Sequence, residues 1–78
     1  MTDYEPLESL LRRAAALVPD DARSDAGLSR ADVEEYFDYN ELDVAHGILD
    51  DFHDGAWQTG EFRDLLEEAA ELMRRARP

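Results

Sequence analysis

A chain of 78 residues, without cysteine and with a formal net charge of −12, has room for one domain and must hold it together by apolar packing alone. At this length folding buries about 60–65% of the surface that the unfolded chain exposes, and without cysteine no disulfide or thiolate metal site can add to that. The acids are unevenly placed: residues 1–31 carry six against four arginines, residues 62–78 carry four of each, and residues 32–61 carry ten with no arginine or lysine. A field of that sign repels nucleic acid and anionic membranes and attracts basic surfaces.

The opening residues Met1 to Pro6 have neither the positive start nor the apolar run of a secretory signal. No apolar stretch approaches the roughly 18 residues of a membrane span, so a cytoplasmic location is expected. All eight basic residues are arginine, which reads as the codon bias of a GC-rich genome.

The first predicted helix starts near Pro6, a residue tolerated in a first helical turn, and Pro19 stops it. Tyr4, Leu7, Leu10, Leu11, Ala14, Leu17 and Val18 recur at three- and four-residue spacing along one face. Glu8 and Arg12 stand four apart on the other face, in the favourable order. Residues 20–27 read as a polar loop.

Ser29 followed by Asp32 marks the start of the second helix, which turns Val33, Tyr36 and Phe37 inward and Glu34, Glu35 and Asp38 outward. Asn40 is expected to end that helix and cap the next. The third helix carries Leu42, Ala45, Leu49 and Phe52 on one stripe, flanked by Val44 and Ile48, with Gly55 as its stop. Gly47, in mid-helix, costs up to about 1 kcal/mol relative to alanine, and close approach of a neighbouring helix is its expected reason. After a turn over Ala56 to Gly60, the last helix runs from about Glu61 to Ala76. Its apolar side is Phe62, Leu65, Leu66, Ala69, Leu72, Met73 and Ala76, and Arg74, Arg75 and Arg77 complement its dipole. No segment alternates as a strand does. The expected fold is all-α, a compact bundle of four short helices in a single domain spanning residues 1–78.

Several chemistries are hinted at and set aside. Asp50, Asp54, Gly55 and Glu61 fall at the first, fifth, sixth and twelfth positions of a calcium loop, but the third is Phe52, which offers no oxygen and is needed in the core. His46, Asp50 and His53 share a helix face, yet two imidazoles without a thiol read as two ordinary histidines beside carboxylates. Acyl carrier proteins are also small, acidic and four-helical, but Ser24-Asp25 and Ser29-Arg30 do not reproduce their Asp-Ser-Leu attachment site. No phosphate loop and no nucleophile with an orienting base is present, so the chain reads as a non-enzyme without metal or cofactor.

The span from Leu28 to Phe52 resembles the Maf-type immunity proteins and related small immunity proteins of bacterial polymorphic toxin systems. The resemblance lies in an Asp-x-x-Glu-Tyr helix (Asp32, Glu35, Tyr36), a turn ending in Glu (Asn40, Glu41), and a helix with a Val-Ala step and Leu-x-Asp (Val44, Ala45, Leu49, Asp51). The Glu61 to Met73 helix fits the same layout. Asn40 stands where glycine is commoner, and His46-Gly47 where a glutamate and an apolar residue are more usual. The resemblance implies a protein that neutralises a cognate toxin, often a nuclease.

A basic protein is therefore the expected partner, with Glu34, Glu35, Asp38, Glu41, Asp43, Asp50 and Asp54 as the acidic contact residues. Tyr39 and Trp57 are the aromatic residues least claimed by the core stripes and the candidate anchors, with Trp57 as a plug at the end of the bundle the competing assignment. A solvated, solubilising face and another small acidic adaptor or regulator are the competing readings of the same charge.

Overall fold

The four apolar stripes become four helices in a computed structural model that describes residues 4–52 and 57–76. They are α1 (Tyr4–Ala16), α2 (Arg30–Asp38), α3 (Leu42–Asp50) and α4 (Gly60–Ala76). Of Tyr4, Glu5 and Ala76 only the backbone is described, and the expectations for His53, Asp54, Gly55, Ala56 and Arg77 lie outside the described residues. The fold is all-α, with no strand and no helix long and apolar enough to cross a membrane among the described residues.

Helix α1 is the middle of the molecule. It packs against each of the other three, α3 packs against α2 and α4 as well, and the backbones of α2 and α4 do not approach each other closely. That position demands a wide apolar face: Leu7, Leu10, Leu11, Ala14, Ala15 and, just past the helix, Val18 are all buried. Ala15 extends the expected stripe sideways, and Leu17 is only partly buried. The helix ends before Pro19 through a tightened turn, Leu17 N–H to the Ala14 carbonyl at 3.1 Å and Val18 N–H to the Ala15 carbonyl at 3.0 Å.

The polar loop is more ordered than its composition suggests. Ser24 is buried and exchanges two hydrogen bonds with Leu28: its N–H donates to the Leu28 carbonyl at 2.8 Å, and its Oγ accepts from the Leu28 N–H at 3.1 Å. Gly27 turns the chain at φ +83, in the left-handed region that a side chain disfavours. Arg30 closes the loop from α2, donating to the Val18 carbonyl at 3.2 Å and pairing with Asp20.

The N-terminus of α2 carries the expected capping box. Asp32 accepts from the Ser29 N–H at 2.9 Å while the Ser29 hydroxyl faces the Asp32 N–H at 3.4 Å. At the other end Asn40 adopts φ 60. The Asn40 N–H bonds the Phe37 carbonyl at 3.0 Å and the Glu41 N–H bonds the Tyr36 carbonyl at 2.8 Å, which is a Schellman closure. Asn40 thus ends α2 as expected, but it does not cap α3. Glu41 is the N-cap there and makes no side-chain cap bond. Asn40 is committed to the left-handed turn, so the next residue takes the cap position.

Helix α3 buries Leu42, Ala45, Ile48 and Leu49, with Phe52 buried just beyond it, whereas Val44 is 38% exposed. Two expectations are corrected. The helix stops at Asp50 and not near Gly55, because a tightened last turn takes over (Asp51 N–H to the Ile48 carbonyl, 3.0 Å) and Asp51 and Phe52 turn their carbonyls to other partners. The Asp25 N–H takes the Asp51 carbonyl at 3.2 Å, and the Gln58 amide takes that of Phe52. Gly47 does not serve close packing within the fold: it is exposed, and a Cβ built on it meets nothing within 4 Å.

Helix α4 lays Phe62, Leu65, Leu66 and Ala69 into the core, with Leu72 and Met73 partly buried against it. Trp57, ahead of α4, stands edge-on to two buried rings, Phe62 at 5.0 Å and Phe52 at 5.9 Å between centroids.

Two stability measurements check this arrangement. Leu49→Ala, at a site with no exposure, should lower the unfolding free energy in urea by about 2–5 kcal/mol. Asn40→Gly should raise it by up to about 1 kcal/mol while Asn40→Ala lowers it by a similar amount, because only the first relieves the left-handed backbone. Equal effects of the two Asn40 variants would contradict the Schellman closure.

Candidate functional site

Helices α2 and α3 are adjacent, and each turns its inner face to the core, so their acids lie outward together. Glu34, Glu35, Asp38, Glu41, Asp43 and Asp50 are all exposed. Tyr39, in the turn between the helices, is 69% exposed, the most of any large apolar side chain described. Asp54 lies outside the described residues. Trp57 is partly buried and already packed between Phe52 and Phe62, so its geometry is that of the plug at the end of the bundle.

Charge counting along the chain overstates how bare this face is. Arginines from outside the segment reach three of the six acids: Arg30 to Glu34 at 3.8 Å, Arg12 to Asp38 at 3.9 Å and Arg63 to Asp50 at 3.9 Å. These pairs are long and solvent-exposed, each worth about 0–1 kcal/mol. Arg12 is also bonded to Glu8 at 2.7 Å, with its guanidinium 4.8 Å above the buried Phe37 ring. Glu35, Glu41 and Asp43 have no ion pair among the described residues. They fall on either side of Tyr39, at the corner where α2 turns into α3.

The other end of the acidic inventory is compensated. On α4, Arg74 hydrogen-bonds the exposed Glu71 carboxylate and, with Arg75 beside it, holds its pKa below the usual glutamate value. A lowered carboxylate pKa contributes stability above the unfolded-state pKa that is lost as pH falls through the folded one. Full exposure to solvent keeps that contribution small.

Among the described residues no group of three or more histidine, cysteine or carboxylate side chains could hold a metal ion. His46 is engaged elsewhere: its Nε2 is 3.1 Å from the Leu66 carbonyl, which makes it a donor linking α3 to α4. Its candidate co-ligand His53 lies outside the described residues. Phe52 is 1% exposed, as its place on the apolar stripe requires. The depression lined by Glu8, Ser9, Arg12 and Arg13 lies along the outer side of α1.

Sequence reasoning missed two residues of this surface. Val44, expected on the flank of the core, lies well off the Leu42–Ala45–Leu49 stripe and is exposed. Gly47, expected to admit a neighbouring helix, has no packing role within the fold. No protein-family model, curated protein or solved structure matches the chain.

The His46 bond yields a direct check. His46→Ala should cost about 0.5–1.5 kcal/mol in urea unfolding, the net worth of one hydrogen bond. An unchanged midpoint would remove His46 from the α3–α4 junction.

Proposed function

We propose that this chain is a non-catalytic, cytoplasmic, immunity-type protein of a bacterial toxin system that neutralises a basic cognate toxin, of nuclease type, through the outer faces of α2 and α3. The observation that carries the reading is the corner where, among the described residues, Glu35, Glu41 and Asp43 stand without ion pairs near the exposed Tyr39. A nuclease presents positive charge to phosphate, and an acidic helical surface can occupy that site in place of the substrate. The unpaired acids speed encounter and select a basic partner, while Tyr39 supplies the rigid aromatic contact that slows dissociation. The resemblance to Maf-type immunity proteins covers this same stretch, Leu28 to Phe52.

The second reading, a small acidic adaptor or regulator, uses the same face without a toxin. Co-expression with a basic toxin encoded next to this chain separates the two, since only an immunity protein restores growth and co-purifies with it.

The mechanism is tested by two charge reversals of equal size. Glu35→Lys with Glu41→Lys should leave folding within about ±0.5 kcal/mol per exposed site, slow association with the toxin and flatten its salt dependence. Glu67→Lys with Glu68→Lys, on the exposed side of α4, makes the same change in net charge and should have a much smaller effect. Equal loss from both pairs, or none from either, would remove the acidic corner from the mechanism.

A further inference from the structure

Helix α3 is nine residues long, and its inner arc is taken by Leu42, Ala45, Ile48 and Leu49. At 3.6 residues per turn the centre of its outer arc falls on Gly47, with Asp43 and Asp50 on one flank and Val44 on the other. Glycine at an exposed helix interior costs about 0.5–1 kcal/mol relative to alanine, and here nothing in the fold uses it: a Cβ would enter open space. Val44 is one of the two exposed large apolar side chains among the described residues, and the other is Tyr39, in the turn that leads into this helix. A smooth centre, an apolar shoulder and an acidic flank are therefore combined on one short face that the fold itself does not cover.

From this we infer that the outer face of α3 is a docking surface for a basic amphipathic helix of the partner, whose backbone crosses at Gly47. The inference rests on the partner-binding reading above and specifies what binds and where. Interaxial distances of packed helices run from about 8 to 10 Å depending on the side chains at the contact, and glycine at the crossing point brings two helices to the near end of that range. Arginine or lysine on both flanks of the incoming helix then meets Asp43 on one side of the crossing and Glu41 near the start of α3. Small residues along its middle meet Gly47 and Val44. A second copy of this chain does not fit, because it would set Asp43 and Asp50 against their own like charges.

Two synthetic peptides of identical arginine- and alanine-rich composition test the inference. In one the alanines form a helical stripe flanked by arginines, and in the other the order is scrambled so that no stripe exists. Titrated into the full-length chain at low salt, the striped peptide should bind about tenfold more tightly than the scrambled one and shift the amide resonances of residues 43–50. Gly47→Leu should weaken the striped peptide about tenfold, yet melt at or above the wild-type temperature, as should Gly47→Ala, so the lost binding is not lost folding. Equal affinity for the two peptides, undiminished binding to Gly47→Leu, resonance shifts centred on α4, or no binding at low salt each overturns the docking surface. No toxin enters this measurement. Failed growth protection beside a Gly47-dependent peptide result therefore removes the immunity reading alone, and the reverse outcome removes the docking surface alone.

Discussion

Helix α1 lies against three other helices at once, with Ala14 and Ala15 among its buried side chains, and the rest of the molecule is arranged around that contact. A chain of this length has few residues to place in a core, and a central helix with a wide apolar face uses them most fully. The cost falls on the polar side of α1, which is reduced to a strip containing Glu8, Ser9, Arg12 and Arg13. Arg12 is drawn from that strip across to Phe37 and Asp38, so part of the compensation for α2 comes from α1.

Nine-residue helices such as α2 and α3 are too short to persist alone in water. Their inner faces contribute burial, and their ends are closed by specific partners: the Ser29–Asp32 box, the Schellman turn at Asn40, the Asp25 N–H on the Asp51 carbonyl and the Gln58 amide on that of Phe52. Three of the four ends are held in this way, the exception being the start of α3 at Glu41, which has no side-chain cap bond, and the outward side chains are left with little structural duty. Acids can accumulate there at the cost of mutual repulsion, which a basic partner would relieve. Gly47 belongs to the same pattern, since the inner face and the C-terminal end of α3 carry the helix without help from its exposed centre.

The two aromatic candidates separate on packing. Trp57 finds two rings edge-on and becomes part of the bundle's end. Tyr39 follows the last turn of α2 and has no such ring neighbour among the described residues, and its ring is largely in solvent. An aromatic residue leaving a helix at a left-handed turn is displaced from the inward register, which is why one turn position is exposed while residues a short way before it are buried.

Four helices, the capping box at Ser29, the inward places of Leu49 and Phe52, and the outward run of acids on α2 and α3 were legible because they depend on spacing and side-chain type alone, at a range of three or four residues. The corrections and additions all depend on atoms distant along the chain. Whether Arg30, Arg12 and Arg63 neutralise Glu34, Asp38 and Asp50 is decided by which helices become neighbours, and a count within residues 32–61 cannot register it. The early end of α3 follows from carbonyl partners supplied by Asp25 and Gln58, on other segments. Gly47 reads from sequence as a site of close packing, because a mid-helix glycine has a cost that packing could explain. The Leu42–Ala45–Leu49 stripe already points that position away from the core, and only the assembled fold shows that no neighbouring helix covers it from the other side.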